Sequence, residues 1–78
     1  MQGQNLLNRI TVNPEVLVGK PIIRGLRISV DQILKAMAGG VTIEELLDDY
    51  PELEKEDIQA ALLYASNLIN EERVFAVS

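Results

Sequence analysis

Adjacent carboxylates are the first candidates for chemistry in this sequence. They form three pairs in its C-terminal half, Glu44-Glu45, Asp48-Asp49 and Glu71-Glu72. Paired acids can hold Mg²⁺ or share general acid and base roles, as in a nuclease. Successive side chains of a helix point about 100° apart, so the two members of a pair do not converge on one ion. Acids four residues apart do share a face, but a solvated acidic surface is the commoner result, and we expect no metal site.

The residue types that are missing restrict the chemistry further. The 78 residues include no His and no Cys. The chain therefore lacks the commonest general base, the commonest metal ligand and the best thiol nucleophile. An enzyme would have to use carboxylates, Lys, Tyr or Ser/Thr alone. We expect a protein that is not an enzyme and that binds no small-molecule substrate.

Gly19-Lys20 suggests a phosphate-binding P-loop, since that motif ends in Gly-Lys followed by Ser or Thr. It also needs a glycine five residues before the Gly of that pair. The sequence has Pro14 and Pro21 at the two required positions. Pro21 has no backbone N–H to donate to a phosphate. A P-loop is excluded, and no catalytic, cofactor-binding or metal-ligating residue is predicted.

The charge of the chain is divided between its two halves. Residues 1–43 carry five basic and two acidic residues, a net charge of +3, whereas residues 44–78 carry two basic and ten acidic residues, a net charge of −8. A basic half can meet an anionic partner, and an acidic half can meet a basic one. The basic half supplies the candidate nucleic-acid contacts, which are Arg9, Lys20, Arg24, Arg27 and Lys35.

These cations have two interpretations. They could bind phosphate, with Arg9 and Thr11 on one face of a strand that reads a groove as a dimeric ribbon. Alternatively, Arg24 and Arg27 could form internal ion pairs with the acidic helices. We favour the internal pair for Arg27, which lies between two apolar residues. Arg24 and Lys20 are next to turn residues and are the better surface candidates.

Periodicity predicts the elements that must position these side chains. Alternating residues and turn signals predict a short strand pair or hairpin within residues 9–28. The capping-box spacing occurs twice, at Ser29 with Gln32 and at Thr42 with Glu45, and each is followed by apolar residues at helical spacing. The predicted helices run from Ser29 to Gly39, from Thr42 to Pro51, and from about Lys55 to Asn70.

The third predicted helix is apolar on two faces. One stripe consists of Ile58, Ala61, Leu62, Ala65 and Ile69; the second consists of Ala60, Leu63, Tyr64 and Leu68. A small domain has little material to cover the second stripe, and a chain without disulfides often gains stability by oligomerisation. We expect a homodimer or partner interface at the second stripe.

The three short-linked helices give a mainly α fold with a short N-terminal β segment or hairpin. This outline is similar to homeodomain-like or winged-helix-like bundles with a helix-turn-helix. We place the domain at residues 8–70, between tails at 1–7 and 71–78. The polar N-terminus is unlike a signal peptide, and no apolar run could span a bilayer, so we expect a soluble cytoplasmic protein.

DNA reading by a helix is disfavoured despite this outline. A helix-turn-helix reads bases with basic and amide side chains near the start of its recognition helix. The third helix instead begins with Glu54, Lys55, Glu56 and Asp57, and the second with Glu44 and Glu45. These acids would face the closely spaced phosphates of a duplex.

The segment Gly19-Lys20-Pro21-Ile22-Ile23-Arg24-Gly25-Leu26-Arg27-Ile28 is distinctive. With Glu44 to Leu47, Asp49 to Leu53 and Glu56 to Ile58, it resembles the prokaryotic family called domain of unknown function 433 over roughly residues 8–66. The sequence departs from the family pattern at Leu26 and Glu54, where Thr is usual. Glu54 is a poorer helix cap than Thr.

The resemblance implies a homeodomain-like three-helix fold and an antitoxin-like protein, since many members are regarded as antitoxins paired with a PIN-like ribonuclease. Two hypotheses remain. The chain is an antitoxin-like interaction protein whose acidic helices bind a toxin, with operator binding as an additional role. Alternatively, it is a stand-alone DNA-binding regulator that uses its basic half.

Overall fold

The computed structural model describes residues 6–72, with side chains described for residues 6–70. The predicted tails at 1–7 and 71–78 therefore lie mostly outside the described residues, as do the side chains of Glu71 and Glu72. Within the described range, a β hairpin is followed by three helices. The predicted fold class is confirmed.

The hairpin consists of β1 (Ile10–Val12) and β2 (Pro21–Ile23), which pair antiparallel with Ile10 opposite Ile23. Pro21 is the first residue of its strand, where proline is tolerated because a missing N–H costs least. Leu17–Gly19 form a tight turn between the strands, and all three residues have positive φ. The hairpin lies within the predicted residues 9–28.

A second turn connects β2 to the helices. Arg24 and Gly25 have φ values of 45° and 75°, and the Leu26 N–H donates to the Ile23 carbonyl oxygen at 2.7 Å. Positive φ at both central positions is the mark of a type I′ turn. The chain then returns alongside β2, where Ser29 bridges Ile22.

Helices α1 (Val30–Ala38) and α2 (Ile43–Asp49) both begin with the predicted capping boxes. The Ser29 hydroxyl accepts from the Gln32 N–H at 2.9 Å, and the Thr42 hydroxyl accepts from the Glu45 N–H at 3.1 Å. Each Gln or Glu side chain accepts in return from the backbone N–H of the cap. These reciprocal bonds satisfy N–H groups that a helix start otherwise leaves unpaired.

Helix α3 (Lys55–Glu72) is the longest element, and it extends two residues beyond the predicted end. Its first half packs on the rest of the domain, where Ile58 and Ala61 are buried. The shared core is apolar and draws on every helix and on the hairpin; its buried members are Ile23, Ile28, Val30, Ile33, Leu46, Leu53, Ile58 and Ala61.

Candidate functional site

Asp57 is the centre of an ion cluster that connects the hairpin to α3. Its carboxylate is fully buried and accepts four hydrogen bonds. Arg24 donates from Nε to Oδ1 at 2.9 Å and from Nη2 to Oδ2 at 2.8 Å. Arg9 donates from Nη1 to Oδ1 at 2.9 Å, and the Glu54 N–H donates to Oδ2 at 2.8 Å. A buried carboxylate with this many donors is fully satisfied.

Local backbone geometry brings the two arginines to the same carboxylate. Arg9 directly precedes β1, and the Arg24 N–H donates to the Arg9 carbonyl oxygen at 2.7 Å. The left-handed conformation of Arg24 is unfavourable for a residue with a Cβ, so the surrounding contacts must hold it. Arg24 Nη2 also donates to the Glu52 carbonyl oxygen at 2.7 Å.

Asp57 also takes part in capping the N-terminus of α3. Its side chain accepts from the N–H of Glu54, the residue just before the helix. Glu54 contributes in another way, because its Oε1 accepts from Arg9 Nη1 at 2.8 Å. The glutamate at this position is a poor cap, but it adds a second, exposed carboxylate to the cluster.

The charges in the cluster shift one another's pKa values. Burial acts to raise the pKa of Asp57, but hydrogen bonds from Arg24, the Glu54 N–H and Arg9 together hold it below its ordinary value. Hydrogen bonds to Glu54 and Asp57 raise the pKa of Arg9, and the bond to Asp57 raises the pKa of Arg24. Asp57 is therefore ionised at neutral pH.

Two of the five candidate nucleic-acid residues are thus engaged in ion pairs within the chain. Arg9 and Arg24 bind the α3 acids, so Arg24 is not the free surface cation that was predicted. The internal pair was expected at Arg27, and that prediction is wrong: Arg27 is exposed and pairs with no described acid. The cause is the type I′ turn, which directs position 24 toward α3.

Lys20 and Lys35 lie together on another part of the surface. Both are exposed and line a shallow groove with Leu17, Val18 and Gln32. Lys35 Nζ lies 3.4 Å from Asp31 Oδ2, four residues earlier on α1. Such exposed pairs contribute little to stability, so both lysines are available to a ligand.

Seven exposed acids lie between the start of α2 and the first turn of α3, and we call them together the acidic surface. It comprises Glu44, Glu45, Asp48, Asp49, Glu52, Glu54 and Glu56, all of them exposed. Lys55 is the one basic residue in residues 44–56. Among the described residues, no three acidic side chains converge closely enough to hold a metal ion. This surface can attract a cationic partner by charge.

The predicted interface residues of α3 are placed unevenly. Ala60 is fully buried by its own chain, so it offers no surface to a partner, which corrects that part of the prediction. Leu63 and Tyr64 are half-buried, and Tyr64 packs against the core. Leu68 remains 42% exposed. The interface itself stays a prediction.

Sequence reasoning missed the role of Asp57, which it treated only as one of several acids at the start of the third helix. A signal was present, because Asp57 occupies the third helical position, where an acid can accept from the N–H of the cap. Leu62 and Ile69 were assigned to the buried stripe, but they are 44% and 63% exposed.

None of the described helices is long and apolar enough to cross a bilayer.

The architecture defines a class: a small three-helix domain joined to an N-terminal hairpin by a buried ion cluster. Residues 10–65 match the family described as Protein of unknown function (DUF433). This chain belongs to the DUF433 family, as the sequence resemblance indicated.

Two relatives show the extent of the likeness. The uncharacterized protein y4eO of Sinorhizobium fredii (strain NBRC 101917 / NGR234) is 36% identical over 56 residues, which cover 72% of this chain and 25% of that protein. The present chain thus spans about a quarter of the length of that relative. The crystal structure of a DUF433 member from Anabaena variabilis ATCC 29413 is similar with a TM-score of 0.76 and 35% identity. That similarity covers 87% of this chain and 67% of the other.

The substitution Asp57→Asn tests the ion cluster. It leaves Arg9 and Arg24 without their anion and places an amide against hydrogen-bond donors, so we expect the free energy of unfolding to fall by about 1–3 kcal/mol. Urea denaturation followed by circular dichroism measures the change. The matched exposed control, Asp48→Asn, should change it by less than about 0.5 kcal/mol. Equal effects of the two substitutions would contradict the cluster.

The lowered pKa of Asp57 predicts a pH dependence. Its contribution to stability is complete above the unfolded pKa, about 3.9, and is lost as the pH falls through the lower folded pKa. The stability difference between the wild type and Asp57→Asn should therefore be constant near neutral pH and shrink below about pH 4. Denaturation curves from pH 7 to acid measure it. A difference that grows with acidification would refute the assignment.

Proposed function

We propose that this chain is an antitoxin-like interaction protein that binds and neutralises a PIN-like ribonuclease toxin. The observation that carries the proposal is the acidic surface. A ribonuclease that binds RNA presents basic side chains to the phosphate backbone. The acidic surface is the electrostatic complement of such a site, and complementary charge gives both specificity and a fast encounter.

The acidic surface is free for a partner because the internal needs of the fold are met elsewhere. Arg9 and Arg24 are neutralised mainly by Asp57, which is not part of this surface. Of its seven members, Glu54 alone forms an ion pair with a described residue. Glu45 caps α2 through one side-chain oxygen. The remaining carboxylates have no such contacts with described residues.

Position along the chain also supports this use. Acids on α2, on the following turn and on the first turn of α3 come from one short segment, residues 44–56. Both ends of that segment are fixed, by the Thr42 capping box and by Asp57. A surface held in place before binding loses less conformational entropy when a partner arrives.

DNA binding is the second candidate function, and the outline of three helices favours it in general. The arrangement of charge disfavours it. Arg9 and Arg24 are committed to Asp57, and the start of α3, where a recognition helix would meet bases, carries Glu54 and Glu56. A DNA-binding role would rest on Lys20, Arg27 and Lys35.

The toxin proposal predicts that a PIN-like ribonuclease is encoded next to this chain, and its test uses that neighbouring enzyme; a neighbourhood with no such gene would oppose the proposal. Co-expression should suppress its ribonuclease activity, and the purified pair should form a complex by titration calorimetry. The exposed substitution Asp48→Lys should slow association about tenfold or more, because it puts like charge opposite the basic site. The matched control is Glu15→Lys, an equal charge reversal on the hairpin loop, far along the chain from the acidic surface.

Two further results would oppose the proposal. One is a ribonuclease that stays active and unbound in the presence of the folded wild-type chain. The other is an equal loss of association with Asp48→Lys and Glu15→Lys, which would indicate an effect of net charge alone.

The DNA alternative is tested by the salt dependence of duplex binding. Three phosphate contacts from Lys20, Arg27 and Lys35 predict a slope of about −2.7 in a plot of log affinity against log salt concentration. Under the antitoxin proposal alone, we expect no measurable affinity for duplex at near-physiological salt. Fluorescence anisotropy of a labelled duplex measures the slope, and a slope near the three-contact value that flattens with Lys20→Ala would establish DNA binding.

A further inference from the structure

The second half of α3 carries an apolar surface that the rest of the described chain does not cover. Helix α3 has 18 residues and is therefore about 27 Å long, twice the length of α1. The core ends near its midpoint. Beyond that point, Leu62, Leu68 and Ile69 are 44%, 42% and 63% exposed. Large apolar side chains clustered in this way on a small domain mark a contact surface.

These side chains lie on one side of the helix. Leu62, Ala65 and Ile69 follow the spacing i, i+3, i+7, and Leu68 is beside them. Ala65 stands at the centre of the stripe, and its small side chain allows another helix to approach closely. We call Leu62, Ala65, Leu68 and Ile69 the apolar face. A groove lined by Leu7, Ile10, Tyr64, Asn67 and Leu68 adjoins it.

The charge around this face identifies its partner. The stretch from Ile58 to Asn70 contains no Asp, Glu, Lys or Arg, although the chain as a whole has 19 such residues and a net charge of −5. A basic partner would find no charge to pair with here. A second copy of this acidic chain, however, would be repelled at most other places, and it can approach without facing carboxylates at this stretch.

We propose that the apolar face binds the apolar face of a second copy of this chain, forming a symmetric dimer through α3. A two-fold interface brings the same patch of both copies together, so an uncharged patch meets an uncharged patch. Large side chains of one copy then fill the space beside Ala65 of the other. The surface is separate from the acidic surface and does not depend on the toxin proposal.

The test is sedimentation equilibrium of the full chain from about 1 µM to about 1 mM, since a small interface gives a dissociation constant on the order of micromolar. The wild type should show a concentration-dependent monomer–dimer equilibrium. Ile69→Glu introduces a charge at the face of both copies and should weaken dimerisation at least about tenfold. The matched control Val12→Glu, at a strand residue of 59% exposure, should leave it unchanged.

A second variant locates the two-fold axis. The chain has no cysteine, so Ala65→Cys provides a single thiol at the centre of the apolar face. Mild oxidation should convert it to a disulfide-linked dimer, because helices in contact bring such positions within the Cα separation that a disulfide needs. Val12→Cys should cross-link far more slowly.

Circular dichroism should show that each variant is folded, because Ile69 and Val12 are exposed. A wild type that is monomeric throughout the concentration range would overturn the proposal, and would point to another segment of the chain as the cover of the apolar face. A dimer that survives Ile69→Glu, or that Val12→Glu disrupts equally, would also overturn it.

Discussion

The fold depends on one buried carboxylate. Asp57 receives two arginines from the hairpin side and a backbone N–H from the start of α3, so it adds a polar link to the apolar core that these segments share. A buried charge is costly unless it is fully paired, and here the four hydrogen bonds provide that pairing. Arg24 has a left-handed backbone conformation, and its bidentate contact with Asp57 helps to hold that conformation.

The same cluster determines which charges remain for function. Arg9 and Arg24 are ion-paired with Asp57, so Lys20, Arg27 and Lys35 are the cations of the basic half that remain for a ligand. Of the acidic half, the cluster uses only Asp57 and Glu54, so six of the seven acids of the acidic surface form no ion pair with a described residue. The folded chain therefore presents a more one-sided charge than its sequence suggests. Internal pairing, rather than composition, decides the character of its surface.

The helices could be predicted because their signals are local. Ser29 with Gln32 and Thr42 with Glu45 act within one helical turn, and the structure contains both capping boxes. The hairpin was also predicted, but not its register. The ion cluster was missed because it joins Asp57 to residues 33 and 48 positions away, through a turn whose backbone geometry determines the contact. The division of α3 into a covered and an uncovered stripe was only partly right for a related reason, because two apolar stripes look alike until tertiary packing covers part of each. Ala60 proved buried and Ile69 exposed.

Helix α3 separates its two kinds of surface along its length, with acids in its first turn and uncharged residues from Ile58 to Asn70. This separation has a consequence for valency. Two copies joined at the neutral half would leave both acidic surfaces outside the contact, so each dimer could hold two basic partners at once. Bivalent engagement of a partner that is itself dimeric would raise avidity without a new contact. Either half of the helix could then change in sequence while the other retained its role.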